Sequence, residues 1–176
     1  MKIALTGPPG IGKTTLVRAV SRRLVDRSIT GYYTQPVYEG EGKKGFKLCG
    51  WDGREELFSH VDWRSAPVRF HQYGVRLEPF ESMACEILDS AAAHQLIMID
   101  ELGAMEKGVT RLVACVQRIF ASRQDALVVI QQRAMDFWLS AIGRHRLDQL
   151  LTVQQDNRDS LPDLLEALFS QAGADQ

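Results

Sequence analysis

Gly7, Pro8, Pro9, Gly10, Ile11, Gly12, Lys13 and Thr14 follow the pattern G-x-x-x-x-G-K-[ST] at every fixed position. Glycines at this spacing let the backbone bend so that several N–H groups point at one spot. A helix beginning at Lys13 adds the positive end of its dipole there. Such a loop holds phosphate oxygens. Lys13 is placed to reach the terminal phosphates, and it is expected to stand exposed with no packing role. Thr14 offers a hydroxyl to Mg²⁺. With Thr15, these residues form the expected nucleotide-binding set.

A second acidic element lies far along the chain, where the apolar run Leu96, Ile97, Met98, Ile99 ends at Asp100 and Glu101. A carboxylate at the carboxyl end of a buried strand faces the ligand crevice of an open α/β sheet. Asp100 is the expected second residue at Mg²⁺, beside Thr14. Glu101, one residue on, is the expected base for a water molecule. The same letters also describe a strand that ends at a charged turn. The phosphate loop in the same chain favours the chemical reading.

Other chemistry is argued against. Asn157 is the sole asparagine and Arg158 follows it, so the guanine-reading N-K-x-D pattern is absent. The histidines at 60, 71, 94 and 145 lack metal-ligand spacing. Cysteines at 49, 85 and 115 are too far apart for a zinc pair and odd in number, which suits a reducing cytoplasm. The net charge of −1 supplies no field for nucleic acid or anionic membrane. The apolar start Ile3–Leu5 stops too soon for a targeting segment. No run has the length of a membrane span.

The elements that must position these residues are legible in outline. Ile3–Leu5 reads as a buried strand, and Lys13–Arg27 as a helix with Leu16, Val17, Val20 and Leu24 on one face. Glycines and aromatics from 31 to 51, with a turn at Gly40–Gly45, predict an antiparallel hairpin. Residues 52–76 read as irregular, a loop or lid. A helix follows from Glu78 and Pro79. Strands at 96–99, 127–130 and 150–153 alternate with helices at 109–123 and 135–142, and Ser160 is expected to cap a last helix. Alternation of this kind predicts an α/β fold, a mainly parallel sheet flanked by helices, in one domain over residues 1–176.

These residues carry a resemblance that runs nearly end to end. The chain resembles the THEP1-type nucleoside-triphosphatase family, the cancer-related nucleoside triphosphatases. The likeness lies in Gly7–Leu16, in Gly31–Thr34 with Gly45 and Phe46, in Arg69, and in Gln72–Val75 with Phe80 and Glu81. Its most specific stretch is Asp100, Glu101, Leu102, Gly103, Ala104, Met105, Glu106, and it closes with Thr152 and Asn157–Asp159. The resemblance implies a RecA-like or kinase-like P-loop sheet with an added antiparallel portion. It also implies slow, Mg²⁺-dependent hydrolysis of ATP, GTP and other nucleoside triphosphates with loose base preference.

Within that frame Arg69 is the expected arginine at the γ-phosphate. Asn157 and Arg158 are the expected base-side residues, because a guanidinium stacks on any base. Glu106 competes with Glu101 for the role of base. Gln131, Gln132 and Arg133 stand where the family often has a Gly-Thr step. A small-molecule kinase and a nucleotide-controlled binding module are the rival readings. A monomer is expected.

Overall fold

The computed structural model describes residues 1–174. β1 (Lys2–Thr6) is buried along its whole length, as a strand covered on both faces must be. Its side chains alternate, Ile3 and Leu5 to one face and Ala4 to the other. After the glycine loop comes α1 (Lys13–Arg23), whose Leu16, Val17 and Val20 are buried. The helix stops short of the predicted Arg27. Leu24 leaves helical geometry at ψ 50°, and Arg27 pairs at 2.7 Å with the buried carboxylate of Asp125.

The remaining strands are β2 (Ile29–Glu39), β3 (Gly42–Gly50), β4 (Glu55–His60), β5 (Val68–Phe70), β6 (Tyr73–Val75), β7 (Leu96–Leu102), β8 (Asp125–Ile130) and β9 (Gln149–Thr152). The helices are α2 (Leu77–Asp89), α3 (Thr110–Ala121), α4 (Met135–Ile142) and α5 (Leu161–Ala174). One sheet takes the order β5-β6-β4-β3-β2-β7-β8-β1-β9. Pairings from β2 through β7, β8 and β1 to β9 are parallel, and those from β2 out to β5 are antiparallel. β8 lies between β1 and β7, so the strand before the phosphate loop and the acidic strand are not neighbours.

The predicted hairpin is β2 and β3. The stretch 52–76, read as irregular, holds three further strands and widens the hairpin into a five-stranded antiparallel wing. Two cores cover the sheet. Ile3, Leu5, Leu96, Met98, Leu127 and Val129 meet α1 and α5; Ala4, Ile97, Ile99, Val128 and Ile130 meet α2, α3 and α4. Because side chains alternate on every parallel strand, each strand end delivers one side chain to each face.

Candidate active site

Gly7 stands at φ +147°, and a β-carbon there would lie 2.6 Å from the Val153 carbonyl oxygen. Glycine is therefore required where the loop presses against the end of β9. Gly12 takes φ +105° and starts α1. No side chain caps this helix, and no acidic residue occupies its first turn. Its leading N–H groups are left for an outside anion. Lys13 is buried rather than exposed as the sequence suggested: its ammonium donates to the carbonyls of Gly7 and Pro8, at 3.0 Å each. The loop holds its own cation at its centre, a hydrogen-bond length from its own backbone.

Alternation along β7 sends Leu96, Met98 and Asp100 toward α1. Asp100 is 2% exposed, with the Thr14 hydroxyl close enough to favour its charged form. Burial pushes its carboxyl up to about 6; Thr14 and the Lys13 charge oppose that shift, and Glu101 adds to it. Its second oxygen, Oδ2, is buried with no hydrogen-bond partner. An unpartnered carboxylate oxygen beside a hydroxyl is a pair of hard donors. Thr14 and Asp100 thus fit Mg²⁺, an ion that takes one or two protein ligands and fills its shell with water and phosphate.

Glu101 breaks the alternation. Asp100 pairs with Val129 and Leu102 with Ile130, so Glu101 is the extra residue of a bulge. Its carboxylate is within electrostatic reach of Lys13 and Arg133, and the Gln131 side chain lies close enough to favour its charged form. Burial raises its pKa, and those three partners limit the rise.

Beyond Glu101 opens a cleft whose apolar wall comes from the wing. Phe46, Phe58 and Phe70 line it together with Glu106, Gln131 and Arg133. Glu106 is buried and accepts from the Gly103 N–H at 3.0 Å; burial pushes its carboxyl up to about 7. The buried indole of Trp138 on α4 holds the Gly103 carbonyl at 3.0 Å and so fixes this turn. Gln131 accepts from Arg133 at 2.6 Å and from the Ala104 N–H at 3.3 Å. The Arg133 guanidinium lies 5.0 Å from the centre of the Phe70 ring. Residues 131–133 carried a signal, their departure from a Gly-Thr step, yet were not placed in the site by sequence. Trp138 read only as a helix residue, Phe46 as a hairpin residue, and Phe58 and Phe70 as part of an irregular stretch.

Other expected residues lie elsewhere. Arg69 is exposed on β5, on the strand face opposite Val68 and Phe70, and donates to the carbonyls of Arg64 and Gln72. The structure does not bring it to Glu101; the arginine it brings there is Arg133. Asn157 is engaged in the backbone of its own turn, accepting from Gln154 N–H at 2.8 Å and donating to Thr152 O at 2.9 Å. Arg158 lies along the other flank of the phosphate loop, in a groove with Gly10, Ile11, Gly12, Thr15 and Pro162. Ser160 precedes α5, but its hydroxyl donates back to the Asn157 carbonyl.

A glycine loop between β1 and α1, with an acidic strand end facing the same helix, defines a P-loop nucleotide-binding protein. Residues 2–165 match the family described as NTPase, and the chain belongs to it. It is 35% identical to the nucleoside-triphosphatase THEP1 of Thermotoga maritima, an alignment that covers 92% of this chain and 91% of the relative. The crystal structure of THEP1 from Aquifex aeolicus superposes with a TM-score of 0.82 at 29% identity, covering 96% of this chain and 99% of that one. The solution structure of a human cancer-related nucleoside triphosphatase gives a TM-score of 0.81 at 30% identity, covering 96% and 97%.

Proposed function

We propose that this chain, as a single unit, hydrolyses nucleoside 5′-triphosphates to diphosphate and phosphate with Mg²⁺ and little base preference. The observation that carries this reading is the meeting of four side chains at one sheet edge: Lys13, Thr14, Asp100 and Glu101. The loop N–H groups and the α1 terminus bind the β-phosphate. Lys13 turns from its carbonyl partners to the γ-phosphate. Bound Mg²⁺ supplies charge that offsets the oxygens of the departing diphosphate. Glu101, on the side away from the loop, orients the attacking water and takes its proton. Burial raises the Glu101 pKa, and Lys13, Arg133 and Gln131 limit the rise.

The expectation of weak base discrimination rests on the groove around Arg158, where backbone, apolar side chains, Thr15, Asp159 and one guanidinium line the flank of the loop. Stacking serves every base alike. The three cysteines are free and buried, in keeping with a reducing compartment. Among the described residues no helix is long and apolar enough to cross a membrane. Phosphate release from ATP, GTP, CTP, UTP and their deoxy forms, with Mg²⁺ and with chelator, tests the reading. Release from each with Mg²⁺ is the expected result. A preference beyond ~100-fold for one base, about 2.7 kcal/mol, contradicts the stacking account.

A further inference from the structure

Attack by water needs space for one molecule and a base. The cleft beyond Glu101 has more. Phe46 of β3, Phe58 of β4 and Phe70 of β5 come from three strands of the wing to line it, and Phe46 and Phe70 keep part of their rings uncovered. Glu101, Gln131 and Glu106 also line it. Apolar walls with a few convergent polar groups are what small-molecule sites look like. The cleft also opens at the carboxylate that faces the phosphate loop's lysine, so a guest there lies next to the γ-phosphate.

We propose that this cleft seats a small, uncharged, planar alcohol, and that the protein transfers the γ-phosphoryl group to its hydroxyl. The proposal rests on the nucleotide reading above and extends it from water to a second acceptor. The ring lies against Phe46 and Phe70, with Arg133 at the mouth over Phe70. The hydroxyl points to Glu101. In the transfer, the acceptor oxygen forms a bond to the γ-phosphorus as the bond from that phosphorus to the β–γ bridging oxygen breaks. The electron pair of the broken bond leaves with the nucleoside diphosphate. The hydroxyl proton passes to the Glu101 carboxylate and then to solvent. The products are a phosphate monoester and a diphosphate.

The charge of the guest follows from the lining. An anionic acceptor such as a nucleoside monophosphate would meet two carboxyl groups, Glu101 and Glu106. It would find one guanidinium, already bonded to Gln131 and stacked on Phe70. An uncharged ring meets apolar walls, and any N–H group on it meets the Glu106 carboxyl.

Benzyl alcohol and 4-pyridinemethanol are the probes, with AMP as the anionic contrast. Saturation-transfer NMR reads binding to the protein. Chromatography after incubation with γ-labelled ATP and Mg²⁺ reads the label as ester or as free phosphate. The expected result is saturation transfer to the alcohols, labelled ester from at least one of them, and none from AMP. Phe46→Ala should cut the ester-to-phosphate ratio ~10-fold or more, the loss of about 1.4 kcal/mol of acceptor binding. Phe70→Leu, a milder change on a short edge strand, should lower the same ratio if Phe46→Ala fails to fold. Absence of saturation transfer, or bound alcohol with all label released as phosphate, overturns the proposal while hydrolysis stands. Labelled AMP product without alcohol product overturns the uncharged class. Neither phosphate nor ester from any mixture overturns the hydrolytic reading and this proposal together.

Discussion

β1 and β8 bury every residue, and β7 all but Glu101, whereas β3 and β4 bury only part of theirs and β5 buries none. Both regions belong to one sheet. The parallel region is sandwiched between helix layers, so its strands are continuous apolar runs and their ends can only be polar at the ligand crevice. The antiparallel wing has half-covered strands, aromatic residues and register shifts at Val37/Tyr38 and Phe46/Lys47. The difference teaches a division of labour. The parallel half sets where phosphate and metal sit, and the wing sets what lies beyond the γ-phosphate.

The sharpest test of that division removes the cation of the parallel half. Lys13→Ala should lower kcat/KM by ~10³-fold, because the lysine answers charge on the transferring group. Its thermal midpoint should stay close to the parent's, since Lys13 bonds only to loop carbonyls. A normal rate would detach the loop from the chemistry. Glu101→Gln comes next, with an expected loss of ~10²-fold in kcat and little change in nucleotide affinity. Single-turnover hydrolysis beside a binding titration checks it, and a parental rate would move the base to Glu106 or to no side chain.

Two arginines then separate the wing from the site edge. Arg133→Ala should cost ~10-fold or more in kcat, since it flanks Glu101 and a charge near the γ-phosphate is worth up to ~10³-fold. Arg69→Ala should change kcat less than ~2-fold, because its partners are two carbonyls on an exposed edge strand, where surface changes have small effects. The reverse order would restore Arg69 to the site.

Glu106 gives a pH-dependent prediction. Its carboxyl moves from 4.5 up to about 7 on folding, so the native state keeps a proton that the unfolded chain releases. Stability therefore falls as pH rises from about 4.5 to about 7, by at most ~3 kcal/mol from this group, and then levels. Glu106→Gln keeps an oxygen for the Gly103 N–H and removes the slope. The variant should match the parent near the acid end and exceed it in stability above neutrality, read by denaturant titration at both pH values. An unchanged slope would assign the pH dependence elsewhere. The smallest effect belongs to the turn before α5: Asn157→Ala should lower stability by ~1 kcal/mol through its two lost backbone bonds, with kcat unchanged.

The parallel half was largely legible. Leu96–Ile99 and Leu127–Ile130 are apolar runs too long and too dry for anything but buried strands, and the loop Gly7–Thr14 marks itself. The wing was legible only at its first turn, because β5 and β6 have three residues each and β4 has six, too few to show a strand period, although their partners lie close in sequence. Arg69 illustrates the gap. Its sequence neighbours gave no hint of which strand face it would take, since a strand of three residues has no pattern to read.

The amino-acid sequence by itself determined the phosphate loop, the acidic strand end and the α/β class, because each depends on local residue types at fixed spacing. Tertiary structure decided the rest. It placed β8 between β1 and β7, turned Lys13 inward onto its own loop, and bulged β7 so that Glu101 stands within electrostatic reach of the loop lysine and Arg133. It also gathered Phe46, Phe58 and Phe70 around one cleft. Those outcomes depend on strand order and register, which long-range pairing sets and no local spacing encodes.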